Sequence, residues 1–193
     1  MNLTAFLVYC IIVTFTPGPT NIVILSSVQH YSMRQAMNYV IGATMAFGLL
    51  LGVSAILNRM LAGILPNILS IMQIVGCLYM LYLAYQICRM GSAESREQHP
   101  SSFASGLLMQ FVNPKVILFT LTVIPSYVLP YYSSPLILTV FVIIITVIGF
   151  LAFVAWLMFG SLFRSFLLNH QRAANTIMAL FLVYSALMVS GLL

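Results

Sequence analysis

Two short polar clusters, each interrupting a long apolar run, contain the residues of this chain best suited to bind a solute. The first covers 16–21 and reads Thr-Pro-Gly-Pro-Thr-Asn, and the second covers 110–115 and reads Gln-Phe-Val-Asn-Pro-Lys. Proline removes a backbone N–H and clashes with the carbonyl one turn earlier, so each cluster leaves backbone polar groups without helical partners. Within a bilayer such groups are tolerated only where they are buried in protein or line a wet cavity. If the apolar runs cross a membrane, the clusters predict a polar site inside it.

Lys115 is the charged residue of these clusters and lies near the middle of its apolar run. A charge at that depth costs about 2.5–3.5 kcal/mol on insertion scales. The chain has no Asp, and its two Glu stand at positions 94 and 97, so we expect no protein carboxylate beside Lys115. Its partners are then either backbone carbonyls freed by the breaks or an anionic group of a substrate, and both alternatives stay open. We predict a substrate-binding set formed by Lys115, Asn113, Asn21, Thr16 and Gln110.

Metal or cofactor chemistry has no support in the sequence. The three cysteines show neither a CxxC pattern nor another ligand spacing, and we expect them to be small buried apolar residues. The three histidines map to loops or to the ends of apolar runs. These residues are Cys10, Cys77, Cys88, His30, His99 and His170. We therefore predict no metal site and no cofactor.

The composition identifies the class of protein. Of 193 residues, 62% are hydrophobic and 5% are charged, whereas a soluble domain carries roughly 25% charged residues. This excludes a water-soluble enzyme, a disordered chain and a secreted disulfide scaffold. The net charge of +5 comes from basic residues scattered singly along the chain, and nucleic-acid binding needs a concentrated patch. The expected surroundings are a lipid bilayer, with no nucleic-acid partner.

Six apolar runs are long enough to cross a bilayer core, which takes roughly 20 helical residues. They predict an all-α integral membrane protein with spans at 3–28, 39–57, 67–88, 103–124, 136–159 and 174–193. The first run lacks a basic leader and is interrupted by its proline cluster, so we expect a permanent span and not a cleaved signal peptide. With both termini in the periplasm, the cytoplasmic loops hold the basic residues at 34, 89, 96, 164 and 172, and the periplasmic loops hold the one at 59. Because cytoplasmic loops carry the excess of Lys and Arg, we predict this orientation.

The two proline clusters also predict an internal repeat. Aligning Pro17 with Pro114 puts Phe6 opposite Phe103, so the breaks fall at matching depths of spans one and four. The offset is close to half the chain, which gives repeats of about 1–97 and 98–193. With three spans in each half, the second half must be inverted relative to the first. Inverted repeats with discontinuous helices are typical of secondary transporters with a binding site near the midplane. The predicted breaks are at Pro17, Gly18, Pro19 and Pro114.

These residues make the chain similar to the LysE/RhtB family of bacterial amino-acid exporters. The resemblance covers essentially the whole chain. Its signatures are the cluster at 16–19 followed by Asn21, the glycines from Gly42 through Gly52, the run 79–84, Ser102-Phe103, and the cluster at 110–115. The resemblance implies an inner-membrane protein that exports small amino acids or their derivatives, driven by the proton gradient. One departure is Thr20, since the family commonly has Asn directly after the second proline.

The charge pattern narrows the expected cargo. Exporters of lysine or arginine are expected to offer acidic groups, and no span here contains one. A neutral zwitterion is easier to accommodate, either of the cysteine and O-acetylserine type or of the threonine and homoserine type. We predict that charged Lys115 binds the substrate carboxylate and resets when it loses its proton or returns to carbonyls. Half-helix N-termini would add positive dipole ends.

Two other classes of function fit the sequence less well, a membrane-embedded enzyme and a passive channel. A membrane-embedded enzyme would need a pair of Asp, a framed Ser/His or Ser/Lys pair, or a reactive Cys pair, and the sequence offers none of these. A passive channel is the other alternative, and the paired broken helices argue against it in favour of alternating access. We therefore predict a secondary-active exporter. Whether it works alone or as a homo-oligomer stays open.

Overall fold

The computed structural model describes residues 1–89 and 102–190, except for the side chains of 58–73, 75–76, 89 and 188–190. Every regular element in these ranges is helical, which confirms the predicted all-α class for this part of the chain. The order is α1 (Leu3–Phe15), α2 (Pro19–His30), α3 (Met33–Arg89), α4 (Phe103–Val112), α5 (Pro114–Val123), a π-helical turn (Ile124–Val128), α6 (Pro135–Leu162), α7 (Arg164–Asn169) and α8 (Gln171–Ser190). Most of the polar stretch 89–102 lies outside the described residues.

Several of these helices have the length and composition of membrane spans. The first part of α3, Met33–Leu57, and the whole of α6, Pro135–Leu162, qualify individually. Two bent pairs qualify together, Leu3–Phe15 with Pro19–His30 and Phe103–Val112 with Pro114–Val128, so the described residues contain up to four such spans. The stretch Cys77–Cys88 is a shorter apolar helix. These helices are those of a multi-pass membrane protein, while the count of six spans in a three-plus-three repeat stays a prediction.

Helix α3 contains both the second and the third predicted span and cannot be straight. Tyr39 lines the same cavity as Tyr79 and Leu83. In a straight helix, residues 39 and 83 would be separated by roughly 65 Å at about 1.5 Å per residue. The chain therefore turns back on itself between residues 43 and 83. The two limbs of α3, before and after this reversal, lie side by side as two antiparallel spans would.

The buried apolar side chains form two clusters, which we call the upper core and the lower core. The upper core consists of Phe6, Cys10, Phe47, Leu51, Val116, Phe119, Val123, Ile124, Val128, Phe141 and Ile145. The lower core consists of Ile22, Ile24, Leu25, Val28, Ala36, Tyr39, Val40, Ala43, Leu83, Ala84, Ile87, Met109, Phe153, Leu157, Met178, Ala179 and Leu182. The upper core joins α1 and α5 to the first half of α6, and the lower core joins α2 and α4 to α8 and the second half of α6. The breaks lie between the cores.

The two broken helices run in opposite directions. The first passes from the upper core in α1 to the lower core in α2, with a bend of 47°. The second passes from the lower core in α4 to the upper core in α5, with a bend of 69°. Pro19 and Pro114 are the first residues of α2 and α5, a position where the missing N–H costs nothing and the fixed φ favours a helix. Each of these prolines thus begins the second half-helix of its pair.

Helices α3 and α4 approach each other backbone to backbone, because glycine leaves room at both contact points. A Cβ atom added to Gly42 would lie 2.0 Å from the carbonyl oxygen of Phe103. A Cβ atom added to Gly106 would lie 2.1 Å from the carbonyl oxygen of Tyr39. Neither position can accept a larger residue without moving a helix. This contact fixes α4, and with it the second break, against the first limb of α3.

Candidate binding site at the two helix breaks

Side chains bind the carbonyl groups that the first break leaves without helical partners. The Asn21 Nδ2 atom donates to the carbonyls of Thr14, at 3.2 Å, and Thr16, at 3.0 Å. The indole Nε1 of Trp156, from α6, donates to the carbonyl of Phe15 at 3.1 Å. The C-terminal end of α1 is therefore capped by side chains from α2 and α6. The residues at this helix end are exposed or half-buried, and in a bilayer their carbonyls need such partners because lipid offers none.

Lys115 lies in the first turn of α5 and reaches across to the first break. Its Nζ donates to the carbonyl of Thr16 at 2.6 Å and approaches the carbonyl of Pro17 at 3.5 Å. Gly18 makes room for it, since a Cβ atom there would lie 2.9 Å from the Lys115 Cδ. The ammonium thus sits at the C-terminal end of α1, where the helix dipole favours a cation. In this conformation backbone carbonyls, the first of the two predicted kinds of partner, bind Lys115.

A buried hydrogen-bond network joins the two breaks directly. The hydroxyl of Thr20 donates to Gln110 Oε1 at 2.6 Å and accepts from Asn113 Nδ2 at 2.8 Å. The exposed fractions of Thr20, Gln110 and Asn113 are only 2%, 0% and 2%. The other amide atom of Asn113, Oδ1, accepts from the backbone N–H of Lys115 at 3.1 Å and caps α5. Asn113 therefore ties the Thr20 network to the residue that carries the charge.

A small cavity of about 30 Å³ lies beside this network. Its polar lining comes from Thr14, Thr20, Asn21, Asn113 and Lys115, with the rings of Phe47, Phe119 and Phe153 as apolar walls. Among the described residues, Asn21 Oδ1 and Gln110 Nε2 are buried without a hydrogen-bond partner. A water molecule needs roughly 10–15 Å³ by this measure, so the cavity holds about two waters and no amino acid. The site is closed in this conformation.

The structure brings all five predicted binding residues into one assembly. Lys115 and Asn21 meet at the carbonyl of Thr16, while Gln110 and Asn113 meet at Thr20. Thr20 and Trp156 also belong to this assembly, although neither is in the predicted set. The position of Thr20 between Pro19 and Asn21 was a sequence signal for its role. For Trp156, the chain's single tryptophan, the signal was its indole N–H, because a buried indole needs an acceptor.

In the described part of the chain, no three residues among His, Cys, Asp and Glu lie close enough together to hold a metal ion. Cys10 is buried in the upper core, while Cys77 is half-buried and Cys88 exposed. The polar assembly at the breaks is instead built from amides, hydroxyls, backbone carbonyls and one ammonium. Such groups recognise a solute by hydrogen bonds and by one unit of positive charge.

Comparisons with known proteins agree with a transport role. The family described as LysE type translocator matches residues 11–190. A cysteine/O-acetylserine efflux protein of Klebsiella pneumoniae subsp. pneumoniae is 32% identical over 188 residues, which cover 97% of this chain and 96% of that protein. Proteins of the same name from Salmonella typhimurium and Escherichia coli are 33% identical over 190 residues (98% and 97% covered) and 31% identical over 188 residues (97% and 96% covered). No solved structure matches the chain.

These relatives are named for efflux and not for catalysis, which favours the predicted transporter over a membrane-embedded enzyme. The family match spans both helix breaks and every helix from α2 to α8. The resemblance drawn from the proline clusters is thereby confirmed. The chain belongs to the LysE type translocator family.

Proposed function

We propose that this chain is a secondary-active exporter of small neutral amino acids across the bacterial inner membrane, with cysteine and O-acetylserine as the first candidate cargoes. The relatives named above supply the candidates. The observation that carries the proposal is the position of Lys115. Its ammonium bridges the two helix breaks and, among the described residues, is bound by carbonyl oxygens alone.

The break offers a place for a carboxylate. The N-cap residue of α2, Gly18, provides no side-chain cap, so the first N–H groups of that helix remain available to an anion. The Lys115 side chain lies against the same glycine. A carboxylate placed there would meet both the ammonium and the positive end of the α2 dipole. Because both glutamates of the chain stand at 94 and 97, no carboxylate of the spans competes for this place.

The same break offers acceptors for an ammonium group. Asn21 Oδ1 lines the small cavity and has no partner among the described residues. The carbonyls at the end of α1 lie on the same side, at the negative end of the helix dipole. A zwitterion could therefore place its carboxylate against Lys115 and its ammonium against Asn21 Oδ1 and these carbonyls. A cargo with a further positive charge would face Lys115 without a carboxylate to balance it, which disfavours lysine and arginine.

Transport requires the closed site to open. The cavity of about 30 Å³ must enlarge before an amino acid enters, and Lys115 must release the carbonyl of Thr16 to bind the cargo. We infer that the two half-helix pairs separate at the Thr20 network during this step. The exchange of a carbonyl for a carboxylate, and back again, gives the two states that alternating access needs.

We assign the proton coupling to Lys115 as well. It is the ionisable residue among the hydrogen-bonded groups at the breaks, and the chain offers no carboxylate there. A deprotonated Lys115 loses its hold on the cargo carboxylate, and reprotonation restores it. The arginines that begin α3, α7 and α8, at 34, 164 and 172, all stand at the lower-core end. The positive-inside rule then places the lower core toward the cytoplasm and both termini in the periplasm.

The test is transport of O-acetylserine by purified protein in vesicles with an imposed pH gradient. We expect Lys115→Met and Lys115→Ala to lower the apparent affinity between about twofold and tenfold, because the cargo gains only the difference, of the order of 1 kcal/mol, between its carboxylate and the Thr16 carbonyl as partners of Lys115. Lys115→Arg keeps the charge and should retain more of the affinity. Arg172→Met, which removes a cation far from the breaks, is the control and should transport normally.

Exchange without a gradient separates binding from coupling. At saturating cargo, Lys115→Met should still exchange O-acetylserine slowly but should not respond to the pH gradient. Gradient-driven efflux at the wild-type rate by both the Met and the Ala variants would overturn the proposed role of Lys115. A panel of neutral amino acids, including threonine and homoserine, identifies the cargo in the same vesicles.

A further inference from the structure

A second and larger cavity, of about 440 Å³, lies below the breaks on the side of the lower core. Helix α2, both limbs of α3 and α4 enclose it. Its polar lining comes from serine and tyrosine hydroxyls and one amide: Ser26, Ser27, Tyr31, Tyr39, Tyr79, Tyr82, Gln86 and Ser105. Its volume lies in the range of about 300–1,000 Å³ that is usual for small-molecule sites. Neither Lys115 nor any other residue of the predicted binding set lines it.

The cavity extends from the helix breaks toward the end of the lower core. At its upper end it reaches Val23 of α2 and Val112 of α4, which stand two residues after Asn21 and directly before Asn113. At its lower end it reaches Tyr31, in the turn between α2 and α3. A solute in the cavity would therefore lie between the membrane surface and the site at the breaks. The Thr20 network stands between the two cavities.

The lining offers hydroxyl contacts and suits a solute of zero net charge, such as a zwitterion. None of the described residues that line the cavity is charged. Burial raises the pKa of the Tyr31 phenol, so this group also stays neutral. The Tyr39 side chain is 2% exposed, and its hydroxyl has no hydrogen-bond partner among the described residues. A buried hydroxyl without a partner is costly, so a polar ligand would be favoured once the ring turned to bring this hydroxyl to the cavity.

Apolar walls complete the cavity. Leu83 and Ile87 come from α3, and Leu108 and Phe111 come from α4. A small solute with a short uncharged side chain matches this mixture of hydroxyls and apolar walls. A lipid acyl chain would fill the apolar part but would leave the Tyr39 hydroxyl unpaired. The lining therefore favours the solute over the lipid.

We propose that this cavity is a second cargo site, an entry site that binds a small neutral amino acid before it passes the Thr20 network to Lys115. The inference rests on the proposed export function. It adds a binding site at which hydroxyl groups, Tyr39 first among them, and not Lys115, hold the cargo. With the lower core toward the cytoplasm, cargo enters from the inner side of the membrane.

The experiment uses a single cysteine in a chain whose three native cysteines are replaced by alanine. Leu83→Cys places the thiol in the cavity wall. Leu81→Cys, two residues earlier and 42% exposed outside the cavity lining, is the matched control at a similar depth. A charged, membrane-impermeant methanethiosulfonate is added to inside-out or right-side-out vesicles, with and without O-acetylserine, which has no thiol to react.

We expect Leu83→Cys to be labelled from the inner side and O-acetylserine to slow the labelling severalfold. Leu81→Cys should react slowly, with no effect of cargo. Tyr39→Phe should raise the half-protecting concentration between about two- and tenfold, the loss expected for one hydrogen bond. Protection should persist in Lys115→Met once its export of O-acetylserine is shown to be lost, because the entry site lies apart from Lys115.

Four outcomes would overturn the entry site. The first is labelling of Leu83→Cys by a lipid-soluble maleimide only, which would indicate a crevice filled by lipid. The second is labelling from the outer side only. The third is labelling without protection, which would indicate a water-filled passage that binds nothing. The fourth is protection that disappears in Lys115→Met, which would place all binding at the breaks. If the wild-type chain exports no O-acetylserine, the proposed cargo fails, and this result is separate from the four.

Discussion

Thr20→Val removes the hydroxyl that joins the two breaks while keeping the shape of the side chain. This hydroxyl makes hydrogen bonds of 2.6 Å to Gln110 and 2.8 Å to Asn113, and all three side chains are at most 2% exposed. The substitution leaves one buried acceptor and one buried donor without a partner. Each unsatisfied group costs about 1–3 kcal/mol, so we expect the free energy of unfolding to fall by roughly 2–6 kcal/mol.

The measurement is unfolding in mixed detergent micelles, with SDS as the denaturant and the fluorescence of the single tryptophan, Trp156, as the probe. Trp156 contacts the end of α1 through its bond to Phe15, so its emission reports on the first break. Thr20→Ser keeps a hydroxyl at nearly the same place and is the matched control. We expect the Ser variant to unfold within about 1 kcal/mol of the wild-type protein, since it keeps both hydrogen bonds and loses one buried methyl group, which contributes about 0.8 kcal/mol.

The reasoning would be refuted if Thr20→Val unfolded at the same SDS fraction as the wild-type and Thr20→Ser proteins. That result would mean that Gln110 and Asn113 find other partners at no cost, and that the two breaks are held together by something other than this network. A loss in Thr20→Ser as large as that in Thr20→Val would also contradict it, because the hydroxyl that Ser keeps would then contribute no more to stability than the methyl group that Ser lacks.

Three further substitutions test the contacts around the breaks. Trp156→Phe keeps an aromatic ring but frees the carbonyl of Phe15, and we expect a loss of about 0.5–1.5 kcal/mol by circular dichroism in the same micelles; a stability equal to that of the wild type would show that this carbonyl needs no protein donor. Gly106→Ala forces a Cβ atom to within 2.1 Å of the Tyr39 carbonyl and should cost about 1–3 kcal/mol or more. Gly52→Ala has no atom within 4 Å of the added Cβ and should be neutral or slightly stabilising, since alanine favours a helix over glycine by about 1 kcal/mol. Equal losses in the two alanine variants would contradict the close approach of α3 and α4.

The features that follow from local chemistry were predictable. A proline at the first position of a half-helix has a fixed backbone angle and no N–H, so α2 beginning at Pro19 and α5 beginning at Pro114 follow from residue type alone. The apolar runs gave the helical class in the same way. The polar residues beside these prolines were predicted to share one site because freed backbone groups must be buried together.

The partners within the site were not predictable in this way. Lys115 and Thr16 are 99 positions apart, and the sequence favoured a substrate carboxylate while leaving a backbone carbonyl open as the alternative partner. Thr20 looked like a departure from the family pattern, yet its hydroxyl donates and accepts at the same time and so suits a junction between two amides. Its role depends on how two helices cross, which no local pattern records. The same holds for Trp156, whose acceptor lies 141 positions away.

The two interpretations of Lys115 describe one exchange and not two competing roles. An ammonium that binds the carbonyl of Thr16 at 2.6 Å is already stabilised by the end of α1, so a cargo carboxylate gains only the difference between the two partners. Hydrogen bonds to a charged group contribute about 1.5–3 kcal/mol each, and their difference is of the order of 1 kcal/mol or less. Under the proposed function, this small difference keeps the cargo from being trapped at the breaks, because an exporter must release what it binds. The site therefore requires that Lys115 bind the Thr16 carbonyl when cargo is absent and exchange it for the cargo carboxylate at low cost.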